Sequence, residues 1–142
     1  MSSITATVSR KRFMDIEVEL SKIIIDEGSD QQVIVLKEKS GQRTLPIIIG
    51  IVEIMAIDRR LKNKKFLRPM THDLLSNTID ALGAKIDKVV VSDIKHHTYF
   101  ATIYMSIDGR KVEVDSRPSD AIALAAASKV PLYVAEHVFE NA

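Results

Sequence analysis

Charged and polar side chains gather around a proline in the second half of this chain, in a motif that contains Asp115, Arg117, Pro118, Ser119 and Asp120. Proline fixes its own φ and biases the preceding residue toward extended geometry, so we expect a strand to end here and a helix to begin at once. Carboxylates can activate water or hold a divalent cation, and a guanidinium can bind phosphate with two parallel hydrogen bonds. These residue types would permit the hydrolysis of a phosphodiester.

A second motif has the same design, with Arg68 before a proline and with His72 and Asp73 before an apolar run. Thr71 is the predicted N-cap of a helix that ends at Leu82 and the following glycine. Two polar helix starts in one small domain predict a shared site.

The candidate catalytic residues are the acidic and histidine side chains of these motifs, together with one carboxylate at the end of a strand and one near the start of the first helix. They are Asp115, Asp120, His72, Asp73, Asp93 and Glu53. Asp115 and Asp93 are the predicted ligands of a divalent cation, Mg²⁺ or Mn²⁺, and no organic cofactor is expected. The alternative is capping, because Ser and Asp at a helix start commonly accept hydrogen bonds from free backbone N–H groups.

Basic side chains are the candidates for substrate binding. Arg117 could instead form an internal salt bridge to Asp73 or Asp120, which would still position the carboxylates. The densest basic stretch, residues 59–68, could follow a nucleic-acid backbone or could be a solvated helix end. The predicted substrate-binding residues are Arg117, Ser119, Arg68, Lys64 and Lys65.

Composition restricts the class of protein. The formal net charge is only +1, so any affinity for nucleic acid must come from local clusters rather than from a global field. The chain contains no cysteine, which excludes disulfides, a thiolate nucleophile and a Cys-ligated zinc. We find no apolar run of signal-peptide or membrane-spanning length, and we expect a cytoplasmic protein that does not enter membranes.

Hydrophobic patterning predicts one α/β (α+β) domain. Each half of the chain reads as three strands followed by a helix, which suggests a duplicated unit that builds a curved, mixed β-sheet with outer helices. The alanine-rich segment Ala121 to Ala127 is more apolar than one core-facing stripe requires, and this favours a homo-oligomer.

Three segments in this order resemble the bifunctional nuclease family: Leu45 to Gly50 with the Glu53 that follows, Arg68 to Leu75, and Asp115 to Ala125. The resemblance runs from about Phe13 to Ala142, after a flexible N-terminus of residues 1–12. Ser116 stands where the family usually has alanine, and Ile48 where an aromatic residue is common. The resemblance implies a nuclease that degrades RNA and DNA. The rival interpretation is a non-catalytic module that binds a small anion or a protein partner and forms a homo-oligomer.

Overall fold

The computed structural model describes residues 14–26, 28, 31–62 and 67–142, without the side chain of residue 60. The predicted flexible segment, residues 1–12, lies outside this part. Seven strands form one sheet: β1 (Asp15–Ile24), β2 (Gln31–Glu38), β3 (Thr44–Gly50), β4 (Lys85–Lys95), β5 (Thr98–Ile107), β6 (Arg110–Ser116) and β7 (Leu132–Ala135). Their order is β3-β2-β1-β7-β4-β5-β6, and the pairing is antiparallel except between β4 and β7. The predicted mixed sheet is confirmed.

The described residues also form four helices: α1 (Ile51–Leu61), α2 (Thr71–Ala81), α3 (Pro118–Ser128) and α4 (Glu136–Asn141). Helix α1 begins directly after β3, and α3 begins two residues after β6. Among the described residues, none of these helices has the length and apolar character needed to cross a membrane.

The two halves of the chain repeat the same arrangement. Strands β1 to β3 and strands β4 to β6 are each an antiparallel meander whose first strand is innermost, and β7 joins the two meanders at the centre of the sheet. A helix follows the third strand of each meander, and these two helices, α1 and α3, pack against each other. The topology thus matches the predicted unit of three strands plus a helix, and it brings two equivalent helix starts together.

The core lies between the sheet and the helices. Ile54 and Ile57 of α1 and Ile122 and Ala123 of α3 pack against β2, β3, β4 and β7. The alanine-rich segment is buried from Ala121 to Ala125 within the chain itself. The reasoning that assigned this segment to an oligomer interface is therefore wrong, because small residues here let α3 approach the sheet and its neighbouring helices closely.

Candidate active site at three helix starts

The N-terminal ends of α1, α2 and α3 converge on one pocket. Helix α3 packs against both α1 and α2, and Ser76 and Ser128 join α2 to α3 through a hydrogen bond of 2.8 Å between their hydroxyl groups. The predicted meeting of the two polar motifs is confirmed, and the start of α1 is a third component.

Arg117 connects two of these helix starts. Its Nε donates a hydrogen bond to Oδ2 of Asp120 at 2.8 Å, and its Nη2 donates to Oε1 of Glu53 at 3.0 Å. The hydrogen bond to Asp120 is the main cause of the raised pKa of the guanidinium, and Glu53 raises that pKa further. The predicted salt bridge between Arg117 and Asp120 is confirmed, whereas Asp73 pairs elsewhere. Although doubly paired, the side chain of Arg117 is 69% exposed and faces solvent at the pocket.

Glu53 and Asp120 occupy equivalent places in the two halves. Each is the third residue of the helix that follows the third strand of its meander, where the helix dipole favours a negative charge. Gly50 makes room for Glu53, because a Cβ at this glycine would lie 2.6 Å from Oε2 of the glutamate. The duplication of the fold thus places two carboxylates on one guanidinium.

His72 completes a chain of four polar groups. Its Nε2 lies 3.2 Å from Oδ1 of Asp120, so the aspartate contacts the imidazole with one oxygen and Arg117 with the other. The side chain of His72 is only 13% exposed and lines the pocket. A carboxylate that orients an imidazole is the arrangement by which many hydrolases position a general base.

Asp73 lies next to this chain but anchors the backbone. Oδ2 of Asp73 accepts hydrogen bonds from the backbone N–H of Met70 at 3.1 Å and from Nη2 of Arg59 at 3.0 Å. The prediction that Thr71 is the N-cap of α2 is wrong, because Met70 occupies that position and Thr71 is the first helical residue. The interpretation of Asp73 as a capping group is confirmed, and Arg59 is buried against it rather than offered to a nucleic-acid backbone.

The pocket has a volume of about 970 Å³ and two kinds of wall. Charged and polar groups come from all three helix starts, and an apolar wall comes from α1 and from the residue before α2. The lining residues are Val52, Glu53, Met55, Ala56, Asp58, Arg59, Met70, Thr71, His72, Arg117 and Asp120. A concave site of this size, with a few convergent polar groups in an apolar surround, is typical of ligand-binding and active sites.

Asp115 lies away from the pocket. Strands β5 and β6 pair with Ile103 opposite Val114 and Thr102 opposite Asp115, and Ile103 belongs to the core beneath α3. Because successive side chains of a strand point to opposite faces, Asp115 lies on the face of the sheet that the helices leave open.

Asp93 forms a separate cluster on β4. Its Oδ1 accepts a hydrogen bond from the backbone N–H of Ile94 at 2.8 Å and lies 3.3 Å from Nε2 of His137. The backbone hydrogen bond is the largest cause of the lowered pKa of Asp93, and the hydrogen bond with His137 lowers it further. Strand β5 lies between β4 and β6, and Asp93 is opposite Phe100 whereas Asp115 is opposite Thr102. Two strand spacings and two residues along the strand, roughly 12 Å, therefore separate Asp93 from Asp115. The structure therefore does not bring the two predicted metal ligands together.

Two other predicted substrate-binding residues, Ser119 and Arg68, do not line the pocket. Ser119 is buried and Arg68 is exposed, whereas Lys64 and Lys65 lie outside the described residues. The predicted capping by serine is not observed at α3, because Arg117 is the N-cap and the hydroxyl group of Ser116 donates to the carbonyl oxygen of Arg117.

Sequence reasoning missed the apolar wall of the pocket. The periodicity of α1 places Met55 on the core-facing stripe, yet Met55 is exposed and lines the pocket together with Val52 and Met70. An available signal was that the apolar positions of α1 cover more of the helix than one buried stripe needs. The sequence indicated Gly50 only as part of a motif. Its role, which is to leave space for the side chain of Glu53, depends on the rotamer of Glu53 and cannot be read from the sequence.

A metal site built from protein ligands alone is not evident in the part of the chain that the structure describes. No three or more His, Asp or Glu side chains in this part are grouped so that they could hold an ion. The pocket does contain two neighbouring carboxylates, Glu53 and Asp120, and Mg²⁺ is commonly bound by one or two carboxylates together with substrate phosphates.

Comparison with known proteins assigns the chain to a family. The model of the bifunctional nuclease domain matches residues 34–142. An uncharacterised protein of Mycobacterium tuberculosis is 37% identical over 126 residues, which are 89% of this chain and 75% of the relative. Bifunctional nuclease 2 of Arabidopsis thaliana is 34% identical over an alignment of 109 residues that covers 74% of this chain. Bifunctional nuclease 2 of rice (Oryza sativa subsp. japonica) is 31% identical over an alignment of 114 residues that covers 78% of this chain. The chain spans only 33% of the Arabidopsis protein and 35% of the rice protein. The chain thus belongs to the bifunctional nuclease domain family.

Proposed function

We propose that this chain is a nuclease that hydrolyses phosphodiester bonds in RNA and DNA at the pocket between the three helix starts. The observation that carries the proposal is the connected set of His72, Asp120, Arg117 and Glu53 at this pocket. The membership of the chain in the bifunctional nuclease domain family supports the same reaction.

In this proposal His72 acts as the general base. When Nε2 of His72 donates a hydrogen bond to Asp120, Nδ1 of the neutral imidazole carries a lone pair. This lone pair accepts a proton from an attacking water molecule. Asp120 fixes the ring orientation and stabilises the imidazolium that forms, as the aspartate of a catalytic triad does. The nucleophile is water, because a site that acts on DNA as well as RNA has no 2′-hydroxyl group to rely on.

Arg117 has the role of stabilising negative charge on the phosphoryl oxygens. Its guanidinium is held in place by Asp120 and Glu53, so little reorganisation is needed when the phosphate binds. The pocket lining has three carboxylates, those of Glu53, Asp58 and Asp120, against the two guanidiniums of Arg59 and Arg117. These five groups therefore give the pocket no excess positive charge to attract a phosphodiester.

This balance supports the proposed dependence on a divalent cation. Glu53 is the carboxylate that would hold Mg²⁺ or Mn²⁺ in the pocket together with the substrate phosphate, because both oxygens of Asp120 are engaged by His72 and Arg117. When bound, the cation would supply positive charge for the phosphate. Asp115 and Asp93, the ligands predicted from sequence, would each need further groups from elsewhere.

The proposal is tested by cleavage of labelled RNA and DNA with Mg²⁺, with Mn²⁺ and with excess chelator. We expect cleavage with either cation, no cleavage with chelator, and a large loss in the Glu53→Gln variant. Asp115→Asn is the matched control for a carboxylate outside the pocket. Loss of activity in Asp115→Asn together with full activity in Glu53→Gln would contradict the proposal. That result would support the predicted role of Asp115 and would place the reaction outside the pocket.

A non-catalytic binding module is the second candidate. The observation that favours it is the pocket itself, because about 970 Å³ with an apolar wall and a few charges also suits a small organic anion. Absence of cleavage with any cation, together with binding of a small carboxylate or phosphate that Arg117→Ala abolishes, would establish this function instead.

We also propose a homo-oligomer, supported by a surface different from the one that the sequence indicated. Helix α2 has no buried residue, and it leaves Leu74, Leu75 and the adjacent Leu82 exposed. Exposed apolar patches of this kind commonly mark interfaces. Light scattering at micromolar concentration should show a species larger than 15.9 kDa, and Leu74→Glu should shift it to the monomer mass.

Expression as a fluorescent fusion would test the expected cytoplasmic location.

A further inference from the structure

The apolar wall of the pocket is a surface that the proposed chemistry does not use. Val52 is 71% exposed and Met55 is 64% exposed, and Met70 completes the wall from the segment before α2. These side chains remain in contact with water although each could contribute to stability if it were buried. Their exposure at a concave site indicates a surface for a ligand.

The wall and the polar groups belong to the same short segments. Val52 precedes Glu53, Met55 follows it by two residues, and Met70 precedes His72 by two residues. A ligand that contacts His72 and Arg117 therefore lies beside the apolar wall as well. Such a ligand must carry an anionic group and an apolar surface within one small unit.

We propose that the pocket holds an unpaired nucleotide, with its phosphate at Arg117 and its base against Val52, Met55 and Met70. This inference rests on the proposed nuclease function, which it deepens by naming single-stranded nucleic acid as the substrate class. The exposed guanidinium provides the complementary charge for the phosphate. Methionine suits the base because its polarizable thioether contacts aromatic rings favourably.

Duplex nucleic acid is disfavoured by the same geometry. In a duplex the faces of a base are stacked and its edge is paired, so the base must be extruded before it can reach the wall. Extrusion costs free energy, and we expect at least about tenfold weaker binding and slower cleavage of a duplex than of a single strand. The apolar side chains offer no hydrogen bonds to the base edges, so sequence preference should be weak.

The test compares three oligonucleotides of equal length: a DNA single strand, its duplex, and a strand of abasic sugar phosphates. Cleavage is measured with the full chain. Binding is measured by fluorescence anisotropy in the His72→Gln background, so that the strands stay intact. We expect the Val52→Ser, Met55→Ser double variant to weaken binding of the single strand about tenfold and to leave the abasic strand unchanged. Ile25→Ser is the control for an exposed apolar residue outside the pocket, and it should change neither.

Each outcome decides the inference. Equal binding of single strand and duplex, an equal effect of the double variant on the normal and abasic strands, or no binding of any strand would overturn it. Tight binding by a partner protein at this wall, without an effect of the double variant on nucleic acid, would also overturn it. Selective binding of the single strand without cleavage would support the inference while the nuclease function itself fails.

Discussion

Two arginines in this molecule each join two carboxylates, yet their surroundings differ. Arg43, between β2 and β3, donates hydrogen bonds to Glu38 at 2.9 and 3.0 Å and to Glu136 of α4 at 2.7 Å through each terminal nitrogen. Arg43 also stacks over the ring of Phe139, 4.6 Å from its centroid. Arg117 bridges Asp120 and Glu53 without a described aromatic partner, and it faces the pocket.

The difference separates a structural ion-pair network from a functional one. Glu136 is only 5% exposed, so Arg43 stabilises a buried charge, and the network ties α4 to the opposite half of the sheet. The hydrogen bond from Arg43 lowers the pKa of Glu38, and the hydrogen bonds to Glu136 and Glu38 raise the pKa of Arg43. Arg117 keeps most of its surface in solvent, where a ligand can reach it. The buried carboxylate of Glu136 marks the first network, and the exposed guanidinium of Arg117 beside a pocket marks the second.

The largest expected effect is on catalysis. Asp120→Asn keeps the shape of the side chain but removes the charge that orients His72 and holds Arg117. We expect kcat to fall by about 10³-fold, as for the loss of an orienting carboxylate in an acid–base pair. The melting temperature should change little, because Asp120 is partly exposed. A large drop in melting temperature with unchanged kcat would show that Asp120 is only structural.

Arg117→Ala should separate activity from stability. Loss of the guanidinium removes charge stabilisation at the phosphate, and we expect kcat/KM to fall about 10²-fold. Because the side chain of Arg117 is mostly exposed, the unfolding free energy should fall by less than about 1 kcal/mol. Urea denaturation and initial-rate kinetics on the same preparation measure both quantities. Wild-type kinetics in this variant would remove Arg117 from the site.

Arg43→Ala should give the opposite result. The substitution leaves the carboxylate of Glu136 buried without its guanidinium partner, and we expect a loss of about 2 kcal/mol in unfolding free energy. Activity of the folded fraction should be unchanged. The double variant Arg43→Ala, Glu136→Gln should recover part of the stability. Equal stability of Arg43→Ala and wild type would mean that the two arginine networks do not differ as described.

The smallest expected effect concerns acid stability at Asp93. Its pKa in the folded chain is lowered from 3.8, so its contribution to stability is fully present above the unfolded value of about 3.9 and disappears as pH falls through the folded value. Asp93→Asn should therefore be slightly less stable than wild type near pH 6, and the difference should vanish toward about pH 2. Urea denaturation across this pH range measures the gap. A gap that widens toward low pH would contradict the direction of the pKa shift.

Local sequence signals predicted most of the fold. Alternating apolar residues identified the strands. Pro46 identified an edge strand, and Pro118 identified the start of a helix. These features were predictable because each of them depends on only a few neighbouring residues. The sequence predicted that the two polar motifs share a site, but it did not predict the contact between His72 and Asp120. The pairing of Arg117 with Glu53 depends on how two distant helices pack.

The remaining errors also have long-range causes. Ala121 to Ala125 are buried by sheet and helices from both halves, which a helix pattern alone cannot distinguish from a subunit interface. Asp115 belongs to the motif around Pro118 but lies on the open face of the sheet, because strand register decides the side to which it points. Its predicted catalytic role, like that of Asp93, now depends on the variants.

The central claim is that the pocket at the three helix starts performs the reaction, and the chain offers a matched pair of histidines to test it. His72 lies 3.2 Å from Asp120 in the pocket, and His137 lies 3.3 Å from Asp93 outside the pocket lining. The decisive measurement is kcat/KM on single-stranded RNA with Mg²⁺ for His72→Gln and His137→Gln. We predict a loss of at least about 10²-fold for His72→Gln and near wild-type activity for His137→Gln. Full activity in His72→Gln, or an equal loss in both variants, would contradict the claim.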